Sequence, residues 1–218
     1  MAELVPLPPD AAALRTLRLE PEFWLRGRAL YHIHELEHGV SSFNPGKGKG
    51  RFHPIARLGG ASIPTLYGGS TLVGALCETL FRLEPSAGYP GRAAVPKKRV
   101  LRHAYALLVP RRPLRLLRLG GDNLRQLALL RAQLLEPGPS HYGRTARWGE
   151  ALHAAFADID GLVWRSRQHD ESDCVLFFGD RVRDGELGVD RQTSFETPAG
   201  WKMLLEAAAR AGFVVAED

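Results

Sequence analysis

The chain has 218 residues, 44% hydrophobic and 24% charged, the balance of a soluble globular protein with length for one substantial core. Lysine and arginine number 29 against 24 acidic residues, a net charge of +5, but the cations are scattered among leucines (Arg111, Arg112, Arg115, Arg118, Arg125), as on solvated faces. Cys77 and Cys174 lie in apolar runs with no CxxC, and there is neither a basic-then-apolar leader nor an 18-residue apolar run, which argues against a disulfide framework or a membrane span and for a cytoplasmic protein.

Asp10 is placed to cap a short amphipathic helix from Ala11 to Leu19, before Pro21; residues 1–26 read as an N-terminal helical extension, and 27–218 as the domain proper. Ala29 to Leu36 alternates as a strand, with Tyr31 and Ile33 on one face and His32 and His34 on the other. His38 follows, and three histidines with Glu35 or Glu37 are conceivable metal ligands; no second cluster completes a shell, so no metal is expected. In FNPGKGKGRF, residues 43–52, glycines alternate with Lys47 and Lys49. Such a loop exposes backbone N–H groups and cations that suit a pyrophosphate, or is simply a solvated loop; it lacks Walker A spacing. Arg51 adds a planar fork that can grip two phosphate oxygens.

Tyr67 ends an extended run, and Ser70 is the expected N-cap of a helix with Leu72, Val73, Leu76, Leu80 and Phe81 inward. Glu78 lies about 200° from Leu76 and Leu80 at roughly 100° per residue, beside Thr71, Gly74 and Ala75. Small neighbours leave room for a ligand before the carboxylate, although an ordinary solvated glutamate fits the same pattern. Ser86 to Pro96 reads as a surface loop, 98–109 as a long strand and Leu114 to Leu119 as a second. Asp122 or Asn123 should start a helix with Leu124, Leu127, Leu130 and Leu134 inward; Trp148, Leu152 and Phe156 mark another. A strand from Asp160 leads to Ser166. No GxSxG elbow surrounds that serine, so its hydroxyl is expected to orient a ligand or side chain rather than attack. Arg165 to Asp173 is a polar loop able to close over a site, Thr197 and Pro198 open a last helix with Trp201, Leu204 and Leu205 as anchors, and FVVAED suggests an edge strand.

Four of these segments, Gly50-Arg51-Phe52, Leu66-Tyr67, Ala75-Leu76-Cys77-Glu78 and Asp160-Gly161-Leu162-Val163-Trp164-Arg165-Ser166, the last backed by Val175-Leu176-Phe177-Phe178, resemble in their order the RES domain, named for an arginine, a glutamate and a serine. The resemblance runs over residues 51–178. It implies a single α+β domain similar to ADP-ribosyltransferases, with mixed or antiparallel sheets and flanking helices, and makes 27–218 the catalytic domain. It also implies action on NAD as substrate, breaking the nicotinamide–ribose bond by water, phosphate or a protein acceptor: a glycohydrolase, a phosphorylase or an ADP-ribosyltransferase. The implied setting is the toxin half of a toxin–antitoxin pair, with an Xre-like helix-turn-helix antitoxin as partner and nucleic acid engaged only through it.

Carried onto this chain, the family pattern makes Arg51, Tyr67, Glu78 and Ser166 catalytic. Arg51, Tyr67, Lys49 and His32 are the cofactor-contacting candidates. His32 stands in Tyr31-His32-Ile33 where the family often has Tyr-Arg-hydrophobic, a departure that bears on how the cofactor is gripped. Breaking the bond leaves positive charge on the ribose, which Glu78 would face while Tyr67 stacks on nicotinamide, Arg51 holds phosphate and Ser166 fixes ribose or its neighbours. The competing reading is a non-catalytic or RNA-directed basic protein with Lys47, Lys49 and Arg51 on the phosphate backbone. It requires binding that falls steeply with salt, and the scarcity of aromatics beside basic residues argues against it.

Overall fold

The computed structural model describes residues 5–57, 60–81, 93–183 and 185–217. Asp10 caps α1 (Ala11–Arg15), its carboxylate accepting from the Ala13 amide at 2.8 Å. The helix stops short of Leu19, closed by the Thr16 hydroxyl donating to the Ala13 carbonyl. The N-terminal extension is therefore helical over one turn and extended beyond it, as β1 (Pro21–Trp24). Next come β2 (Leu30–Glu35), the small hairpin of β3 (Ile55–Ala56) and β4 (Ser62–Ile63), and β5 (Thr65–Gly69). The helix α2 (Leu72–Thr79) precedes β6 (Ala93–Pro96), α3 (Lys97–Leu101), β7 (His103–Pro110) and β8 (Leu114–Arg118). Two short helices, α4 (Gly121–Gln126) and α5 (Arg131–Leu134), lead through a 3-10 turn at Pro139–His141 into α6 (Tyr142–Ala155). The chain ends with β9 (Gly161–Arg165), β10 (Asp173–Phe178), β11 (Leu187–Ser194), α7 (Pro198–Arg210) and β12 (Phe213–Ala216).

Eight strands form one mixed sheet in the order β1-β8-β9-β10-β5-β2-β7-β11, antiparallel except for the parallel β8–β9 pair. β10 is buried along its whole length, which explains its unbroken apolar run: both faces of a central strand are covered. Its alternation sends Cys174, Leu176 and Phe178 toward Trp148, Leu152 and the leucines of α4 and α5, and Val175 and Phe177 toward Trp24, Leu66 and Leu108. A third cluster joins Leu76, Leu80 and Phe81 at α2 to Phe195 and the α7 residues Leu204 and Ala208. The fold is thus α+β, with helices flanking a mostly antiparallel sheet. Among the described residues no helix is long and apolar enough to cross a membrane.

Four local expectations change. The N-cap of α2 is Thr71, whose hydroxyl accepts from the Gly74 amide at 3.0 Å; the Ser70 hydroxyl accepts from the Asp173 amide instead. The long strand at 98–109 opens as the helical turn α3, joined to β7 by the His103 ring donating to the Arg99 carbonyl at 2.8 Å. The leucine-rich helix is broken at Ala128, where φ is +54°, and Leu130 points outward at 58% exposure while Leu127, Leu129 and Leu134 are buried. A run as rich as Leu127-Ala128-Leu129-Leu130 fits more than one apolar stripe, and the turn delivers two of its three leucines, Leu127 and Leu129, to the core. Of the loop expected at Ser86 to Pro96, residues 86–92 lie outside the described residues and 93–96 form β6, paired in parallel with β12.

Candidate functional site

Arg51 leaves an ordered loop. The Asn44 carboxamide accepts from the amides of Gly46 and Lys47 at 3.0 and 2.7 Å and donates to the Lys47 carbonyl at 2.9 Å. Buried His53 donates from Nε2 to that carbonyl at 2.9 Å and accepts at Nδ1 from Thr65 at 2.7 Å. These bonds leave Lys47 and Lys49 exposed on the loop. Arg51 itself is buried, donates to the Pro137 carbonyl at 3.0 Å, and holds its guanidinium 5.5 Å from the centre of the Tyr142 ring. Burial lowers its pKa, while Tyr142 and then Glu78 oppose that shift, so the carboxylate of α2 lies within electrostatic reach.

Tyr67 lies in the middle of β5, with its ring edge-on to Trp164 at 6.2 Å and its hydroxyl accepting from the Phe52 amide at 3.1 Å. A side chain at Gly50 would begin 3.1 Å from that hydroxyl, which explains the Gly-Arg-aromatic sequence facing a tyrosine. Glu78 projects from the end of α2 toward Ser166, whose hydroxyl donates to Oε1 at 2.6 Å. The Ser166 hydroxyl oxygen accepts in turn from the amides of Gln168 and His169 at 3.0 and 3.1 Å. Ser166 is fully buried, and its proton and both lone pairs are engaged, so it holds Glu78 rather than presenting a nucleophile. Cys174 lies against this pair, its thiol pKa pushed well up by burial and then by the charge of Glu78, and it stays protonated.

Arg51, Tyr67, Glu78 and Ser166 are thus brought together around the middle of β5 and the end of β9. Lys49 is exposed on the loop, and His32 meets the group only through the backbone of Tyr67. His32 donates from Nδ1 to the Tyr67 carbonyl at 2.6 Å, where β2 meets β5, and burial lowers its pKa to about 4, so it supports the tyrosine strand as a neutral ring. His34 bonds the Glu35 carbonyl at 3.0 Å. The conceivable metal ligands therefore separate: the oxygens of Glu35 and Glu37 and a nitrogen of His38 lie within 4.8 Å of one another at the surface, without the other two histidines. Glu35 is also 3.7 Å from Arg102.

Of the small neighbours of Glu78, Gly74 is covered by another loop. A Cβ on Gly74 would fall 2.4 Å from both Cβ and Oγ of Ser172, so the 166–172 loop packs directly on α2. Ser172 Oγ lies 2.5 Å from the Thr71 hydroxyl and 2.8 Å from His169 Nδ1. The polar loop that sequence places over a site is thereby fastened to both ends of α2, through Thr71 at its start and Glu78 near its end. Sequence reasoning missed Thr71, His169, Ser172, Tyr142 and Arg167, the last donating to the Glu136 carbonyl. The polar loop from Arg165 to Asp173 and the place of Thr71 beside Glu78 hinted at some of them, without their bonds.

Among solved structures, the chain is similar to a chain of the M. tuberculosis MbcT–MbcA toxin–antitoxin complex, with a TM-score of 0.60, 14% identity, and coverage of 89% of this chain and 94% of that one. No curated protein sequence matches. The sequence model of the RES domain matches residues 29–198, a span that contains Arg51, Tyr67, Glu78 and Ser166. The chain belongs to the RES domain family.

Proposed function

We propose that this chain is a toxin-like enzyme that consumes NAD by breaking the bond between nicotinamide and ribose. The observation that carries the reading is the Ser166–Glu78 pair beside a buried Arg51: a carboxylate fixed by a fully engaged hydroxyl, with a guanidinium within electrostatic reach. In the reaction the glycosidic C–N bond breaks, its electron pair leaves with nicotinamide, and the ribose carbon becomes oxocarbenium-like. Glu78 faces that charge and is strongest as a partner in the transition state, where the charge is largest. Arg51 holds the phosphate end, Tyr67 lies against the nicotinamide ring, and Lys49 adds an exposed cation at the loop. His32 contributes through the Tyr67 carbonyl. Water or phosphate then attacks the ribose carbon and loses a proton; a protein acceptor in the same place gives an ADP-ribosyltransferase.

The likeness to a toxin–antitoxin complex supports an antitoxin as partner; its helix-turn-helix type and a cytoplasmic setting belong to the same proposal and rest on the family resemblance. The test is nicotinamide release from NAD, with and without phosphate, by the parent and by Glu78→Gln. Loss of one preorganised electrostatic contact predicts a fall of roughly 10²- to 10³-fold, about 3 to 4 kcal/mol, in a folded protein. Parental turnover in folded Glu78→Gln would sink the role. Faster release with phosphate would identify a phosphorylase.

A further inference from the structure

Two guanidinium groups approach the same short piece of backbone. Arg51 donates to the Pro137 carbonyl at 3.0 Å, and Arg167 donates to the adjacent carbonyl of Glu136. Arg51 is buried and Arg167 exposed, so Arg51 is the inner cation of the pair and Arg167 the outer one, at the rim where the pair meets solvent. They are near enough for the charge of Arg167 to help lower the Arg51 pKa, behind burial as the main cause. Arg167 directly follows Ser166, and its backbone is fixed: Arg131 donates to the carbonyls of Arg165 and Ser166 at 3.1 and 3.3 Å, and the Ser166 hydroxyl gathers the next two amides. Among the described residues no carboxylate lies at ion-pair distance from Arg167, although acidic side chains pair with Arg112, Arg115, Arg118, Arg131 and Arg165.

We propose that Arg167 is the second cation of a diphosphate clamp, closing from the rim over an anion that Arg51 holds from below, and that it gives the site its preference for diphosphate-bearing ligands. The proposal deepens the NAD-cleaving reading and rests on it. A backbone carbonyl is a neutral partner. Hydrogen bonds from guanidinium to a charged phosphate oxygen are roughly twice as strong, and the planar fork can take two oxygens at once. An arriving diphosphate therefore draws both forks from the Glu136 and Pro137 carbonyls, and two adjacent cations balance its two phosphoryl groups. A ligand without phosphate leaves Arg167 where it is.

Titration calorimetry with inorganic pyrophosphate at low salt tests the clamp on three proteins: the parent, Arg167→Gln, and Arg191→Gln. The last loses the same charge on the distant edge strand β11. Losing one charge-assisted contact at the rim should weaken pyrophosphate about tenfold in Arg167→Gln and less than about twofold in Arg191→Gln. No binding by the parent, equal weakening in both variants, or none in Arg167→Gln overturns the clamp. In the same preparations the KM for NAD should rise about tenfold in Arg167→Gln with kcat preserved. If the parent releases no nicotinamide while the pyrophosphate result holds, the clamp stands and the assigned reaction falls. If nicotinamide is released but pyrophosphate affinity is untouched, the reaction stands and the clamp falls.

Discussion

Ser166 does three things with one oxygen: it donates to Glu78 and receives two amides. Replacing it with alanine removes a proton donated to Glu78 and takes the shared acceptor away from two part-buried N–H groups. A hydrogen bond to a charged group is worth about 1.5 to 3 kcal/mol, so Ser166→Ala should lose roughly tenfold to a hundredfold in kcat as Glu78 drifts, with a lower melting temperature. Steady-state kinetics with a thermal melt checks this; parental kcat in the folded variant would assign the carboxylate's position to something else. The identities of Arg51, Tyr67, Glu78 and Ser166 were legible because each stands in a short local pattern. Their relation was not. Nothing in the spacing says that a serine 88 residues beyond a glutamate will hold it, or that Pro137 and Tyr142 will flank the arginine, since those contacts depend on how strands distant in sequence pair.

At the scale of the element, α2 is set by its closeness to its neighbours. A Cβ on Gly69 would lie 2.9 Å from the Ala75 amide nitrogen, and one on Gly74 would fall 2.4 Å from Ser172. Helix propensity alone says that Gly74→Ala should stabilise by about 1 kcal/mol. Steric overlap with a buried serine carries the larger cost, typically 1 to 3 kcal/mol, so the expected outcome is a lower melting temperature and impaired turnover, both measurable on the purified variant. A higher melting temperature with unchanged turnover would mean the loop yields freely. The small residues along this helix were visible in sequence and suggested an empty cleft wall. They instead mark where another loop packs in, because a gap between small side chains serves a ligand and a neighbouring backbone equally well. Helices α6 and α7 were legible in advance for the opposite reason: their apolar spacing admits a single buried face.

Across the whole molecule, several histidines are folded into places that disfavour their charged form. Burial lowers the pKa of His32 to about 4, and lowers those of His53, His103 and His153 as well. Between about pH 6.5 and 4 the unfolded chain therefore binds protons that the folded chain refuses. Stability present above about pH 6.5 is lost as the pH falls toward 4, by on the order of 3 kcal/mol for His32 alone. Urea melts from about pH 7.5 to 4.5 should show that decline, and His32→Gln, whose amide can still donate to the Tyr67 carbonyl, should flatten it; identical slopes would remove His32 from the account. The sheet order carries one more consequence. β5, which bears Tyr67, sits between β2 and β10, and the partner of Glu78 comes just before β10. A growing chain therefore leaves the ribosome with its glutamate and arginine made long before the strand and serine that position them. Chains broken off before Ser166 carry Arg51, Tyr67 and Glu78 without the hydroxyl that holds the carboxylate, so under the NAD-cleaving proposal the site is assembled only after β9 has been made.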